Sequence, residues 1–232
     1  MAKIKYSALV SEMRNKLNGS VLSKNRFGNY VRNKVTPVNP QSSFQQSTRS
    51  ILSSLSQGWR GLTGAQRNGW IALAATLPFT DIFGDTKFLT GQNLYVKLNA
   101  NLLKAGEPQI AAAPQLEDIP AVLAETLTAT QSAGSLTALS VGVNVTSHPA
   151  GFALGVYAIP PVSDSINFVK NKYRFIGVLA SVTAGSGNIL SLYTARFGAA
   201  AVAGQRINVR VALISTATGQ QGIPSEVLDI VA

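Results

Sequence analysis

Residues 205–216 read QRINVRVALIST, and this stretch decides the fold of the C-terminal half of the chain. Apolar side chains such as Ile207, Val209 and Val211 stand at every second position. Because successive side chains of a β-strand point to opposite faces, this alternation predicts a strand with one apolar face. A glycine-containing turn and a second alternating stretch, residues 225–231, follow it. The two stretches therefore predict a β-hairpin.

The same period of two extends back to about residue 125 and gives seven candidate strands, separated by turn-forming sequences. These strands are residues 125–131, 136–145, 152–159, 172–183, 188–194, 205–216 and 225–231. Short strands at this spacing predict that residues 125–232 form an antiparallel β-sandwich of the immunoglobulin or fibronectin type III kind. The pattern does not determine the order of the strands.

A different period, of three to four residues, marks three helices between residues 41 and 108. Their predicted spans are 42–59, 64–77 and 91–105. Thr63 and Gln66 have the spacing of a capping box before the second helix, and Thr90 can cap the third. Residues 41–108 are therefore predicted to form a small helical domain. Residues 109–124, which are rich in proline and alanine and have no clear period, are predicted to link it to the sandwich.

The N-terminal residues 1–40 have no helical pattern. β-branched and aromatic residues surround residues 27–29 (Phe-Gly-Asn), where Gly and Asn tolerate the positive φ of a tight turn. This predicts a hairpin over residues 19–35, and Pro37 and Pro40 end any regular structure after it. We expect residues 1–40 to form an extended basic arm, and the whole chain to be a multidomain α+β protein.

The formal net charge of +10 resides in the first 108 residues. They hold fourteen Lys or Arg and four Asp or Glu, whereas the remaining 124 residues hold six of each. The excess is steepest in residues 1–34, where eight Lys or Arg face a single acid, Glu12. A segment with this charge favours a polyanion or an acidic protein surface as its partner.

Few residues are available for catalysis or metal binding. The chain has no Cys, which excludes disulfides, thiolate nucleophiles and zinc–thiolate sites. The single histidine, His148, lies in a loop-like sequence, and the spacing of the acids nominates no partner for it. Asp81 and Asp85 flank a glycine in what we interpret as a turn rather than a calcium loop. There is no phosphate-binding loop motif, so we expect a non-enzymatic protein with no cofactor, metal or small-molecule substrate.

The arm carries the clearest signal for binding. Cations and aromatic residues interleave in it, as Lys24, Arg26, Phe27, Tyr30, Arg32 and Lys34. This mixture is typical of surfaces that contact nucleic-acid backbone and stack on bases. It also suits a ribbon whose arginines face an acidic protein neighbour while its aromatic residues fill pockets of that neighbour. We favour the protein neighbour, because no recognisable nucleic-acid-binding fold accompanies the arm.

Two tryptophans lie on the apolar stripes of the predicted helices. Trp59 and Trp70 are therefore expected to belong to a helical core rather than to a ligand cage. Trp59 is also expected to act as an apolar anchor for the partner, beside the arm residues.

The basic arm, its proline-containing end and the two tryptophans together resemble a known module. The motifs are GSVLSKNRFGNYVRNKVTPVNP at 19–40, Trp59, Trp70 and LTGQNL at 89–94. Over about residues 15–110 the chain resembles a module of structural proteins of tailed bacteriophages, among them crAss-like phages of gut bacteria and their relatives. This resemblance implies a component of the virion. The C-terminal hairpin is in turn similar to the last hairpin of the immunoglobulin-like domains appended to many capsid and tail proteins.

These observations lead to one functional hypothesis and two alternatives. The first is an auxiliary capsid (decoration) protein whose basic arm clamps the lattice of the major capsid protein. The second is a component of the neck, the tail, the head–tail connector or a head fibre, present at low copy number. The third is an internal virion protein whose arm contacts DNA. All three place the chain in a virion assembled in the host cytoplasm, and no apolar run approaches the roughly 20 residues that cross a bilayer, so no membrane partner is expected.

Overall fold

The computed structural model describes residues 2–147, 149–179 and 182–232. Within these residues the chain forms four helices and fourteen strands, and all strand pairs are antiparallel. The protein is therefore of the α+β class, as the sequence predicts.

The N-terminal residues form a four-stranded sheet. Its strands are β1 (Ala2–Lys3), β2 (Asn15–Leu17), β3 (Ser20–Asn25) and β4 (Gly28–Asn33), in the order β1-β4-β3-β2. The hairpin of β3 and β4 lies within the residues where the sequence predicts one. Gly28 follows the turn with a φ of 110°, a conformation that glycine adopts without steric cost.

Three helices follow the sheet, close to their predicted positions. They are α1 (Ser43–Gly61), α2 (Gly64–Ala75) and α3 (Gly91–Ala105). A short hairpin of β5 (Pro78–Thr80) and β6 (Thr86–Phe88) connects α2 to α3. In the described part of the chain, none of the helices has both the length and the apolar character needed to cross a membrane.

The predicted helix caps are confirmed. The Thr63 hydroxyl accepts a hydrogen bond from the Gln66 amide, and the Gln66 side chain accepts one from the Thr63 amide, which completes the capping box of α2. Thr90 caps α3 by accepting from the Asn93 amide. The helix ends at Gly106, whose φ of 86° is left-handed. These caps satisfy amide and carbonyl groups that have no partner inside the helix.

Replacement of Thr63 by alanine is expected to destabilise the helical part. The change removes the acceptor for the Gln66 amide, and loss of such a cap costs about 1 kcal/mol of unfolding free energy. Urea unfolding followed by circular dichroism measures the loss. Thr36→Ala is the matched control, because Thr36 is exposed and lies outside all helices and strands. Equal stability of the two variants would contradict the role of the cap.

The three helices enclose a core of aromatic and aliphatic side chains. Leu55, Trp70 and Tyr95 are fully buried. The Tyr95 ring lies 5.3 Å from the Trp70 ring and 5.6 Å from the Trp59 ring. The Trp70 indole N–H donates a hydrogen bond of 2.9 Å to the carbonyl of Ala111. The one polar group of this buried side chain therefore has a hydrogen-bond partner.

Two antiparallel sheets form the C-terminal part. The first has the order β12-β8-β7, from β7 (Ala124–Ser132), β8 (Ser135–Val143) and β12 (Ser186–Asn188). The second has the order β11-β9-β13-β14, with the short β10 also on β13. Its strands are β9 (Phe152–Ala158), β10 (Val162–Ser163), β11 (Arg174–Leu179), β13 (Gln205–Ser215) and β14 (Ser225–Ile230).

The two C-terminal sheets share one apolar core. Leu127 and Val141 of the first sheet meet Val156 and Val209 of the second in a single cluster of buried side chains. β13 is buried on its predicted apolar face and also at intervening positions such as Ile214. The second face is partly covered because α3 contacts β9, β11 and β13. The helical part therefore rests on the outer face of this sheet.

One predicted strand is wrong. Most of residues 188–194 lies in a helix, α4 (Leu190–Phe197), which follows the short β12. The stretch supports a helix because its large side chains Ile189, Tyr193 and Phe197 recur at four-residue steps and pack on the core. The Tyr193 hydroxyl donates to the Ile159 carbonyl at 2.9 Å, which anchors the helix between the sheets. The two-residue strand β10 was also not predicted.

The segment 109–124 contacts both the helical part and the sheets. It has no helix, and its only strand residue is Ala124, the first of β7. The Ile110 amide donates to the buried Asn99 side chain at 2.7 Å, and the Ser215 hydroxyl donates to the Glu117 carboxylate. Asn101 of α3 reaches across to the Gly219 carbonyl at 3.0 Å. Residues 109–124 therefore form hydrogen bonds with both the helical part and the sheets. The domain boundaries at 41–108 and 125–232 stay a prediction.

Candidate protein-binding surface

Six of the seven predicted binding residues lie on or beside the β3–β4 hairpin. Lys24 is on β3, and Tyr30 and Arg32 are on β4. Arg26 and Phe27 form the turn between the strands, and the Lys34 amide follows β4 and donates to the Gly19 carbonyl at 2.8 Å. The hairpin thus brings these six residues together, and we name them the hairpin cluster.

Strand register distributes the cations over the two faces of the sheet. Directly paired residues share a face, and Arg32 pairs with Val21, which pairs in turn with Lys16. Tyr30 stands two residues from Arg32 and pairs with Lys3, so it lies on the same face. Lys24 lies on the opposite face, beside Asn29 and Leu22. Arg32 and Lys16 therefore share one face of the sheet with Lys3, whose charge is paired with Asp81.

The N-terminal sheet contacts the β5–β6 hairpin. The Phe27 ring meets the Phe79 ring edge to face at 5.7 Å between centroids. Lys3 bonds to Asp81 at 3.0 Å, and Lys5 bonds to Asp85 at 3.2 Å. Phe27 is therefore already engaged within the chain, whereas the sequence suggested that it could be inserted into a partner.

Asp81 has the turn role that the sequence predicts. Its carboxylate accepts hydrogen bonds from the amides of Phe83 and Asp85 at 2.8 and 3.2 Å. Burial raises the pKa of Asp81, but these amides and Lys3 outweigh it, so the net pKa lies below the ordinary value. Among the described residues no three His, Cys, Asp or Glu side chains are grouped to hold a metal ion. His148 lies outside the described residues.

Replacement of Asp81 by asparagine is expected to loosen the N-terminal sheet. The change removes the charge that holds Lys3, so amides of β1 and β4 should exchange with deuterium several-fold faster in hydrogen-exchange mass spectrometry. Because the folded pKa of Asp81 is lowered, the wild-type contact is present above the ordinary carboxyl pKa and is lost as pH falls through the lowered value. Asp164→Asn is the control, since within the described residues Asp164 is exposed and has no side-chain partner. Unchanged exchange in Asp81→Asn would show that the contact does not hold the sheet.

Several cations of the sheet have no acidic partner. Glu12 pairs with Arg14 at 2.9 Å and with Lys24 at 3.5 Å. Within the described ranges, four others form no ion pair: Lys16, Arg26, Arg32 and Lys34. Unpaired like charges on one small sheet repel each other, and an acidic neighbour would relieve that repulsion.

Apolar side chains are exposed around the same cations. Leu17 is 67% exposed and Val38 is 85% exposed. In the described residues from 2 to 54, no side chain is buried. A sheet with no buried side chain has little to stabilise it on its own.

Trp59 does not join the hairpin cluster. It is on α1, half-buried against Tyr95, and its carbonyl accepts from the Arg67 guanidinium at 3.3 Å. The core role expected for Trp59 and Trp70 is confirmed by their packing with Tyr95. The structure thus gives Trp59 a place in the helical core.

Sequence reasoning missed two contributors to this surface. Lys16 shares the face of Arg32 through strand pairing, which the charge count alone could not reveal. Ile82 and Phe83 of the β5–β6 loop are exposed, and the Lys5 ammonium is 5.1 Å from the Phe83 ring centre. Their apolar character at a turn was the available signal.

Comparison of the chain with protein-family models, with curated proteins and with solved structures gives no match.

Proposed function

We propose that this chain is a non-enzymatic structural protein of a tailed-phage virion, an auxiliary capsid protein that binds the lattice of major capsid proteins through its N-terminal sheet. One observation carries the proposal. The sheet combines four unpaired cations with exposed apolar side chains, and none of its described side chains is buried. Such a surface suits a permanent place in an assembly better than exposure to water.

The C-terminal part supports the proposal as a second, projecting module. In our proposed lettering, which runs along the chain, β7 and β8 correspond to immunoglobulin strands A and B. β9, β13 and β14 correspond to strands C, F and G. The immunoglobulin arrangement likewise pairs A with B in one sheet and joins C, F and G in the other. We therefore infer an immunoglobulin-like sandwich in which α4 lies in the connection that precedes strand F.

Binding would rest on many weak contacts repeated over a shell. A single exposed ion pair contributes about 0–1 kcal/mol, so Arg26, Arg32 and Lys34 would not hold one copy tightly by charge alone. Apolar contacts of residues such as Leu17 and Val35 would add to them. Contacts with two adjacent capsid subunits would then raise the overall affinity through their effective concentration.

Protein rather than DNA is the favoured partner of the hairpin cluster. Base stacking needs an accessible aromatic face, but Phe27 packs on Phe79 and Tyr30 is half-buried. The cations alone could still contact phosphates without sequence preference. A DNA-binding role is therefore the second candidate.

Binding of the purified chain to virus particles that lack it tests the proposal. We expect saturation at a number of copies proportional to the major capsid protein, with weakening as salt rises. Saturation at about a dozen copies would instead indicate the neck, the tail or a fibre. Failure to bind particles, together with DNA binding whose affinity falls steeply with salt, would contradict the capsid role and favour the internal DNA-binding role.

A further inference from the structure

A cleft that contains no residue of the hairpin cluster lies between the helical part and the C-terminal sheet. Its volume is about 610 Å³, and it is lined by α1 and α3 on one side and by β11 and α4 on the other. Its basic lining residues are Lys104, Arg174 and Arg196, and among the described residues no Asp or Glu lines it. This size matches a site that takes a few side chains of a ligand.

The cations of this cleft have no acidic partner in the described residues. Arg196 lies with its guanidinium carbon 3.6 Å from the centre of the Phe44 ring. Lys104 lies with its ammonium 5.7 Å from the centre of the Phe175 ring. Arg174 donates only to backbone carbonyls, those of Asn171 and Tyr173, at 2.9 and 2.8 Å. None of the three forms an ion pair.

Burial makes two of these charges, those of Arg196 and Lys104, costly in the absence of an anion. Burial lowers the pKa of the Arg196 guanidinium, and the nearby charge of Arg174 lowers it further. Burial also lowers the pKa of Lys104. The nearby carboxylate of Glu226 is already bound by Arg210 and by the Tyr173 hydroxyl. An anion from outside the chain would therefore stabilise all three cations.

Part of the wall formed by α1 and α3 is aliphatic. Ile51 and Leu52 of α1 and Leu103 of α3 line it, and Leu52 is 53% exposed. An aliphatic wall accepts an apolar side chain but offers no flat ring for a nucleic-acid base. The aromatic rings that line the cleft are occupied on both sides, since Arg196 covers Phe44 of α1, and Tyr157 packs edge-on against Phe175 of β11.

We infer that this cleft binds an acidic peptide segment of a neighbouring protein, with carboxylates on Lys104, Arg174 and Arg196 and an apolar side chain on the α1–α3 wall. The inference uses none of the residues of the hairpin cluster. It would give the chain two separate contact surfaces, so that one copy could join two neighbours.

Labelled peptides provide the test on the full-length protein. An array of peptides of about eight residues would carry three acidic and two apolar residues in varied order. We expect a subset to bind saturably by fluorescence anisotropy, and their amide counterparts, with Asn and Gln for Asp and Glu, to bind at least about tenfold more weakly. Absence of saturable binding by every acidic peptide up to about 1 mM would overturn the inference.

Variants locate the binding. Arg174→Gln combined with Arg196→Gln should weaken peptide binding at least about tenfold, whereas Lys170→Gln, at an exposed lysine outside the cleft, should leave it unchanged. Lys104→Met keeps most of the apolar stem and removes only the charge, so it tests the site even if loss of the Arg196–Phe44 contact impairs folding. The inference would be overturned if the Arg174→Gln/Arg196→Gln variant and Lys104→Met bound the peptides as tightly as the wild type. So would a labelled octathymidine that loses affinity in the variants when the peptides do not.

Failure of the cleft to bind peptides can be distinguished from failure of the proposed capsid binding. A hairpin variant that no longer binds particles should still bind the acidic peptides, because its cleft is intact. Loss of both activities in that variant would contradict two separate surfaces.

Discussion

Replacement of Arg26, Arg32 and Lys34 together by glutamate should abolish incorporation of the chain into virus particles. All three are exposed and have no ion pair in the described residues, so the change reverses the charge of the hairpin without breaking an ion pair. Like charges brought together at an interface cost several kcal/mol, which corresponds to an affinity at least about a hundredfold lower. Quantitative mass spectrometry of purified particles measures the incorporated amount.

The matched control reverses three cations elsewhere. Lys97, Lys170 and Lys172 lie outside the N-terminal sheet, and their replacement by glutamate gives the same net charge. We expect this control to be incorporated normally and both variants to unfold at a temperature close to that of the wild type. Normal incorporation of the hairpin variant would rule out the clamp, while equal loss in both variants would attribute the effect to net charge.

Replacement of Gly219 by alanine should give the largest loss of stability of any glycine-to-alanine change in the chain. Gly219 has a φ of 73°, and a Cβ there would lie 2.2 Å from the Leu98 carbonyl oxygen on α3. Its own carbonyl accepts from the buried Asn101 side chain. The left-handed conformation and the backbone clash together should cost about 3 kcal/mol or more of unfolding free energy. Urea unfolding measures the loss, and the junction between α3 and the sheet should open first in hydrogen exchange.

Gly204→Ala separates the two causes. Gly204 has a similar φ of 81°, but a Cβ there would meet no atom within 4 Å. Its replacement should therefore cost only the backbone strain, about 1–2 kcal/mol. If the two variants lose the same free energy, α3 does not pack on the sheet as closely as the structure shows.

Local signals allowed much of the secondary structure to be predicted. The capping box at Thr63 and the left-handed Gly106 mark helix ends through interactions between residues close in sequence. Six of the seven predicted strands contain an observed strand, since alternation of apolar residues is also a local property. Only the strand predicted at residues 188–194 was wrong. This stretch fits both the two-residue period of a strand and the period of three to four residues of a helix, and packing of Tyr193 between the sheets favours the helix.

Tertiary contacts could not be predicted in the same way. The pairing of β1 and β2 with the hairpin, which places Lys16 and Arg32 on one face, joins strands that have few sequence signals of their own. The attachment of Phe27 to Phe79 and the contact of Gly219 with α3 depend on residues far apart in the chain. The hairpin cluster was therefore predictable as a set of residues, and the core role of Trp59 was predicted, but the position of the cluster and its ion pairs were not.

The copy number of this chain in native particles tests the central proposal most directly. Quantitative mass spectrometry of purified virus, calibrated against the major capsid protein, gives the ratio of the two chains. The proposal predicts a count in the hundreds, near a fixed ratio to the capsid protein, as a repeated lattice contact requires. A count of about a dozen would contradict the decoration role and place the chain at the neck, the tail or a fibre. Absence from the particles would contradict the virion role altogether.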